Sequence, residues 1–203
     1  MTKQLFIIRH GETDNNKQGI VQGRGVNPSL NDIGREQSLL FYQRYCNQPF
    51  EIIYTSTLRR SYESVSLFIE KGIPWERHAE LDEISWGIFE GQPVTPEFKA
   101  LYQQLQEDWK AGDFNQKAEG GESPVEVSLR QMKFIQYLLS KPEKEILICM
   151  HGRAIRMFLA NLLGEDLSAM EKYPHSNLTL YKLIFDGERF SITIYNNRDH
   201  LKV

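Results

Sequence analysis

Cysteine is scarce. Cys46 and Cys149 are the only two in 203 residues, too few for a disulfide framework. Cys149 lies in the run Ile146-Leu147-Ile148-Cys149-Met150 and reads as a small buried hydrophobe. No apolar run reaches the length of a membrane span, and Leu5 to Ile8 is too short for the core of a secretory signal. A basic excess is also missing. Lys plus Arg number 24 against 27 for Asp plus Glu, so nothing marks a nucleic-acid surface. There is no internal repeat and no low-complexity stretch. With 40% hydrophobic and 25% charged residues, disorder, collagen and coiled coil are excluded for the chain as a whole. A soluble cytoplasmic protein without nucleic-acid or membrane partners is expected. At this size about 70% of the unfolded chain's surface can be buried, which allows one substantial core.

What is present is an alternation of short apolar runs and helical patterns. Leu5 to Ile8, Glu51 to Thr55 and Glu145 to Met150 are continuous apolar runs, the mark of strands buried on both faces. Asn31 can cap a helix through Leu39, Leu40 and Tyr45. A second helix is expected after Ser56, with Leu58, Tyr62, Val65 and Ile69 on one face. Thr95-Pro96-Glu97 starts a third, with Thr as N-cap and Pro at the first helical position. Ser123-Pro124-Val125-Glu126 is a capping box opening a helix to Ser140. Arg153 to Leu163 is another, closed by Gly164. Asn177 to Phe185 and Arg189 to Tyr195 alternate around the turn signal Asp186-Gly187.

This order predicts an α/β fold of three layers, a mostly parallel central sheet with helices on both faces. The final hairpin should add an antiparallel strand at the edge. Residues 1–203 read as one domain, with a small cap at about 87–122 over the carboxyl ends of the strands. Ligands of such sheets bind at those ends, so chemistry is sought just after the strands.

The first strand exits into Arg9-His10-Gly11-Glu12-Thr13. A guanidinium offers planar paired hydrogen bonds to phosphoryl oxygens, glycine allows close backbone approach, and an imidazole can be nucleophile, base or metal ligand. One such pentapeptide could equally be a polar loop. But Ile146 to Met150 exits into His151-Gly152, and the strand ending at Thr55 exits into Ser56-Thr57-Leu58-Arg59-Arg60. Three exits side by side would gather two histidines and two or more arginines around an anion.

Arg9-His10-Gly11-Glu12-Thr13 followed by Asn16 resembles the signature of the histidine phosphatase superfamily, the phosphoglycerate-mutase-like fold. The likeness runs from Leu5 to Leu201. It takes in Gln22-Gly23, Ser56 to Arg60, Leu81-Asp82-Glu83 with Gly87 and Glu90-Gly91, Gly120 to Ser123, His151-Gly152 and the tail Asn196 to Leu201. The resemblance implies that His10 is the nucleophile and forms a phosphohistidine. Arg9, Arg60 and His151 would hold the phosphoryl oxygens, assisted by Asn16, Gln22, Gly23 and Gly152. Glu83 would be the general acid. Between the two adjacent arginines, periodicity does not choose, whereas the family spacing assigns Arg60 and leaves Arg59 to solvent. His78 and His175 read as ordinary loop or weak-strand residues, and His200 as structural. Trp86 is close enough to Glu83 to line a pocket.

The implied activity is metal-independent phosphomonoester hydrolysis, of the histidine acid phosphatase type, on a small phosphorylated metabolite. No metal or cofactor is implied, and a homodimer is the one assembly left open. A cofactor-dependent phosphoglycerate mutase is the alternative. A non-catalytic phosphate-binding module is the alternative of another class, although such a module is expected to lose one of His10, Arg60, Glu83 or His151, and none is missing.

Overall fold

In the computed structural model, which describes residues 2–202, six strands form one sheet in the order β3-β2-β4-β1-β5-β6. They are β1 (Lys3–Arg9), β2 (Ile52–Thr55), β3 (Trp75–Arg77), β4 (Glu145–Met150), β5 (Leu180–Phe185) and β6 (Phe190–Asn197). The first four pair in parallel. The α/β fold with a mostly parallel sheet is therefore as expected.

Side chains of successive strand residues point to opposite faces, and the core divides accordingly. Leu5, Ile7, Ile52, Tyr54, Ile146 and Ile148 face α6 (Pro124–Ser140) and α7 (Gly152–Leu163). Phe6, Ile8, Ile53, Leu147 and Cys149 face the other layer, which holds Phe41 of α2 (Asp32–Tyr45) and Phe68 of α4 (Ser66–Glu70). Central strands covered on both sides must be apolar at every position, which is why they read as unbroken runs.

Helix starts follow their capping chemistry. Asn31 accepts from Gly34 N, Thr95 from Phe98 N at the head of α5 (Pro96–Lys110), and Ser123 closes a box with Glu126. Three elements depart from expectation. A short α1 (Asp14–Gln18) is capped by Thr13 and Asn16. The helix after Ser56 breaks at Val65 into α3 (Arg59–Glu63) and α4. At the break, Ser64 Oγ donates back to Arg60 O and accepts from Gly11 N, a local bond that competes with the helix. Finally, the antiparallel strand is not at the edge. β5 runs against β1 inside the sheet, and β6 forms the edge in the same direction as β1.

Residues 87–122 contain α5, whose Phe98, Leu105 and Trp109 pack on Val21, Ile84, Trp86, Val127, Met157 and Met170. Gly87 anchors this segment with φ +56, and a Cβ there would lie 1.8 Å from Glu119 O, so the close crossing requires glycine. Among the described residues no helix is long and apolar enough to cross a membrane.

Candidate active site

Sheet register builds the site. Arg9 is level with Met150, and Thr55 with Cys149, so His10, His151 and Ser56 emerge side by side. The rings of His10 and His151 lie 5.1 Å apart. His10 Nδ1 is 2.7 Å from Gly11 O. Donation to that carbonyl puts the ring proton on Nδ1 and leaves Nε2 with its lone pair. Burial, with Arg60 and Arg9 nearby, holds His10 neutral well below the usual histidine range.

His151 is buried and held neutral by the same burial and the same arginines. Its Nε2 lies 2.7 Å from Ser56 Oγ, which in turn touches Ser61 Oγ at 2.8 Å. Ser61 Oγ donates to Leu58 O at 2.7 Å. With the Ser61 proton spent, Ser56 gives its single proton to Ser61 and accepts from His151 Nε2–H, which leaves the lone pair on Nδ1, a buried nitrogen without a partner among the described residues.

The two adjacent arginines separate cleanly. Arg60 is fully buried, donating to Val26 O and Gly23 O from its two terminal nitrogens, while Arg59 is exposed and reaches Ser29. Burial draws Arg60 down to about 10, still cationic at neutral pH. Arg9 meets His175 Nδ1 through Nη1 at 3.3 Å. Gln22 accepts from Thr13 Oγ1 through Oε1. Near the two histidines, three buried N–H groups find no acceptor among the described residues: Arg9 Nε, Arg60 Nε and Gln22 Nε2. Unpaired buried donors are costly, and three near one another call for a ligand rich in acceptor oxygens.

Asn16 is partly committed. Its Oδ1 takes hydrogen bonds from Thr13 and from Asn177 Nδ2, which leaves Nδ2 as the donor it can offer. Gly23 serves through its carbonyl on Arg60. Glu83 reaches the N-terminus of α7, where Oε1 accepts from Ile84 N at 3.0 Å and Ala154 N at 2.8 Å, and Oε2 from Arg153 N at 3.1 Å. Its charge acts on both Arg9 and Arg60. The neighbouring Asp82 is spent on Thr57 and Arg24. Among the described residues no group of three or more His, Cys, Asp or Glu side chains is arranged to hold a metal ion.

His175, expected to be an ordinary loop residue, and Asn177, which the sequence did not mark as a site residue, both belong here. β5 is antiparallel, so the loop that enters it arrives where the parallel strands end. Asn177 Nδ2 donates to His10 O. His175 is pressed on Gly152, where a Cβ would come within 2.5 Å of its ring. Burial, then Arg9, lowers it to about 2, so it is neutral and accepts from Arg9. His78, by contrast, packs among Tyr54, Phe134 and Tyr137.

The profile of the histidine phosphatase superfamily (branch 1) matches residues 5–198. The chain belongs to that superfamily. "Phosphoserine phosphatase 1" of Hydrogenobacter thermophilus is 26% identical to this histidine phosphatase superfamily member over 196 residues, 96% of this chain and 92% of that one. A Yersinia enterocolitica protein named "Probable phosphoglycerate mutase GpmB" is 30% identical over 185 residues, 89% of this chain and 84% of its own. The native mycobacterial glucosyl-3-phosphoglycerate phosphatase has the same fold, with a TM-score of 0.83 at 22% identity, covering 98% of this chain and all of that one.

Proposed function

We propose that this superfamily member hydrolyses phosphomonoesters through a phosphohistidine on His10. The observation that carries the reading is the set of three unpartnered buried N–H donors, on Arg9, Arg60 and Gln22, beside an imidazole whose Nε2 is free. The Nε2 lone pair attacks phosphorus while Arg9, Arg60 and Gln22 hold the non-bridging oxygens, joined by His151 once its Nδ1 takes a proton beside the bound anion. The phosphorus–oxygen bond to the alcohol breaks, and Glu83 supplies the proton to the departing oxygen. Oε2, with one backbone donor against two on Oε1, is the oxygen with room to carry that proton. Water then attacks the phosphohistidine, gives its proton to Glu83 and releases phosphate. Such a transfer needs positioning and charge more than further covalent chemistry. The neutral state of His10 keeps the nucleophile available on the acid side of neutrality, which supports the acid-phosphatase type.

His10→Ala should abolish turnover of p-nitrophenyl phosphate. Wild-type protein quenched during turnover should carry an acid-labile, base-stable phosphate. Label on serine or cysteine, or full activity of the variant, overturns the reading.

The Yersinia relative favours a second reading, phosphoglycerate mutase. A mutase needs cations beyond the phosphoryl pocket to grip a carboxylate and a second phosphate. Residues 92–120 contain no arginine and three lysines, Lys99, Lys110 and Lys117. Lys117 is engaged with Glu126. An enolase-coupled assay beside phosphate release decides. Mutase turnover above hydrolysis with 2,3-bisphosphoglycerate present would replace the hydrolase reading and keep the phosphohistidine.

A further inference from the structure

The geometry points to a substrate whose alcohol is apolar, seated in a groove between the cap and the phosphoryl pocket. This rests on the hydrolase reading above. The groove holds about 330 Å³, and its walls include Val21, Trp86, Val94, Phe98 and Tyr102. Trp86 packs edge-on to both Phe98 and Tyr102, at 5.8 and 5.5 Å between ring centroids, and Phe98 stacks on Tyr102. Interlocked rings make a preformed wall. At liquid-like density the volume suits about ten non-hydrogen atoms.

Two contacts join the groove to the chemistry. Gln22 lines it and also carries one of the three unpartnered donors. Tyr102 lines it and its hydroxyl meets the Arg153 guanidinium, while the Arg153 backbone N–H holds Glu83 Oε2. An alcohol oxygen placed between the phosphoryl pocket and Glu83 therefore has this groove beside it for its carbon skeleton.

Charge near the groove disfavours an anionic alcohol. Arg153 and Arg156 both pair with Glu171. Arg24 pairs with Asp82 and Glu122, and Arg130 with Glu122. Lys99, exposed at the margin, is the cation that lines the groove itself. A carboxylate pressed on the aromatic wall would lose water there and find one rim ammonium in return. An alkyl or aryl group loses nothing and buries apolar surface.

The test uses alkylphosphonates from methyl to octyl, which cannot be hydrolysed, with binding to the intact protein followed by calorimetry. Kd should fall about fourfold per added methylene as the chain lengthens toward octyl, which the groove has room to hold. Val94→Asp, at a rim position 37% exposed, should flatten the series and leave the methylphosphonate Kd within twofold. A flat series in the wild type overturns the proposal. So does absence of binding, or tighter binding of the phosphonate analogue of phosphoserine than of butylphosphonate. A steep series without turnover of any phosphomonoester supports the groove and counts against the hydrolase. Turnover of p-nitrophenyl phosphate with a flat series does the reverse.

Discussion

Glu83→Gln separates a structural role of this carboxylate from a chemical one. Two backbone N–H groups converge on Oε1, so the amide oxygen of the variant must take that place. The amide NH2 then faces Arg153 N across 3.1 Å, donor against donor. An unsatisfied buried pair of this kind costs about 1–3 kcal/mol. Loss of a negative charge at the N-terminus of α7 adds about 0.5–1 kcal/mol. For a chain of this length the combined loss lowers Tm by about 5–10 °C. Turnover of an alkyl phosphate should fall by about two to four powers of ten, since its alkoxide must be protonated as it leaves. Nitrophenolate leaves without help, so the defect with p-nitrophenyl phosphate should be about tenfold smaller or less. The assay is kcat on both esters, at a temperature where scanning calorimetry shows the variant folded. Equal defects on the two esters would refute Glu83 as the acid and leave it as a clamp on α7. An unchanged Tm would refute the hydrogen-bond argument.

Three further outcomes follow from the same geometry. EDTA should leave activity nearly unchanged while vanadate competes with substrate, because the pocket is built of arginines and imidazoles rather than of carboxylates suited to magnesium; loss on chelation restored by a divalent ion would overturn the mechanism. His10, His151 and His175 stay neutral in the fold well below the usual range but take protons near pH 6.5 when unfolded. Above that pH they contribute no slope. Below it the unfolded chain binds more protons, and stability falls by about 4 kcal/mol per pH unit until the folded imidazoles titrate. Denaturant midpoints equal at pH 7 and pH 5 would contradict this, and His175→Asn should remove about a third of the slope. Gly152→Ala should displace His175 from Arg9 and lower kcat/KM by about tenfold to a hundredfold. Adding His175→Ala should restore part of the loss, and equal activity of Gly152→Ala and wild type would show that the contact is idle.

Much of the architecture is local in origin and so could be read residue by residue. A strand covered on both faces has no position for a polar side chain, which makes Leu5 to Ile8 and Ile146 to Met150 visible without any partner in view. Asn31, Thr95 and Ser123 announce helix starts because each satisfies a donor three residues away. Arg9-His10-Gly11 and His151-Gly152 could be paired because parallel strands deliver their exits to one end of a sheet. Other features depend on contacts far apart in the chain. The break at Val65 follows from Ser64 meeting Gly11, 53 residues distant. Arg59 and Arg60 are indistinguishable by local pattern, and the carbonyls of Gly23 and Val26 bury one of them. His175 enters the site because β5 runs against β1, a direction its own alternation does not encode. The groove exists where Val21, Trp86 and the α5 residues Phe98 and Tyr102 meet. Local order is written in near neighbours along the chain, whereas a cavity or a buried charge is a property of surfaces that folding brings together.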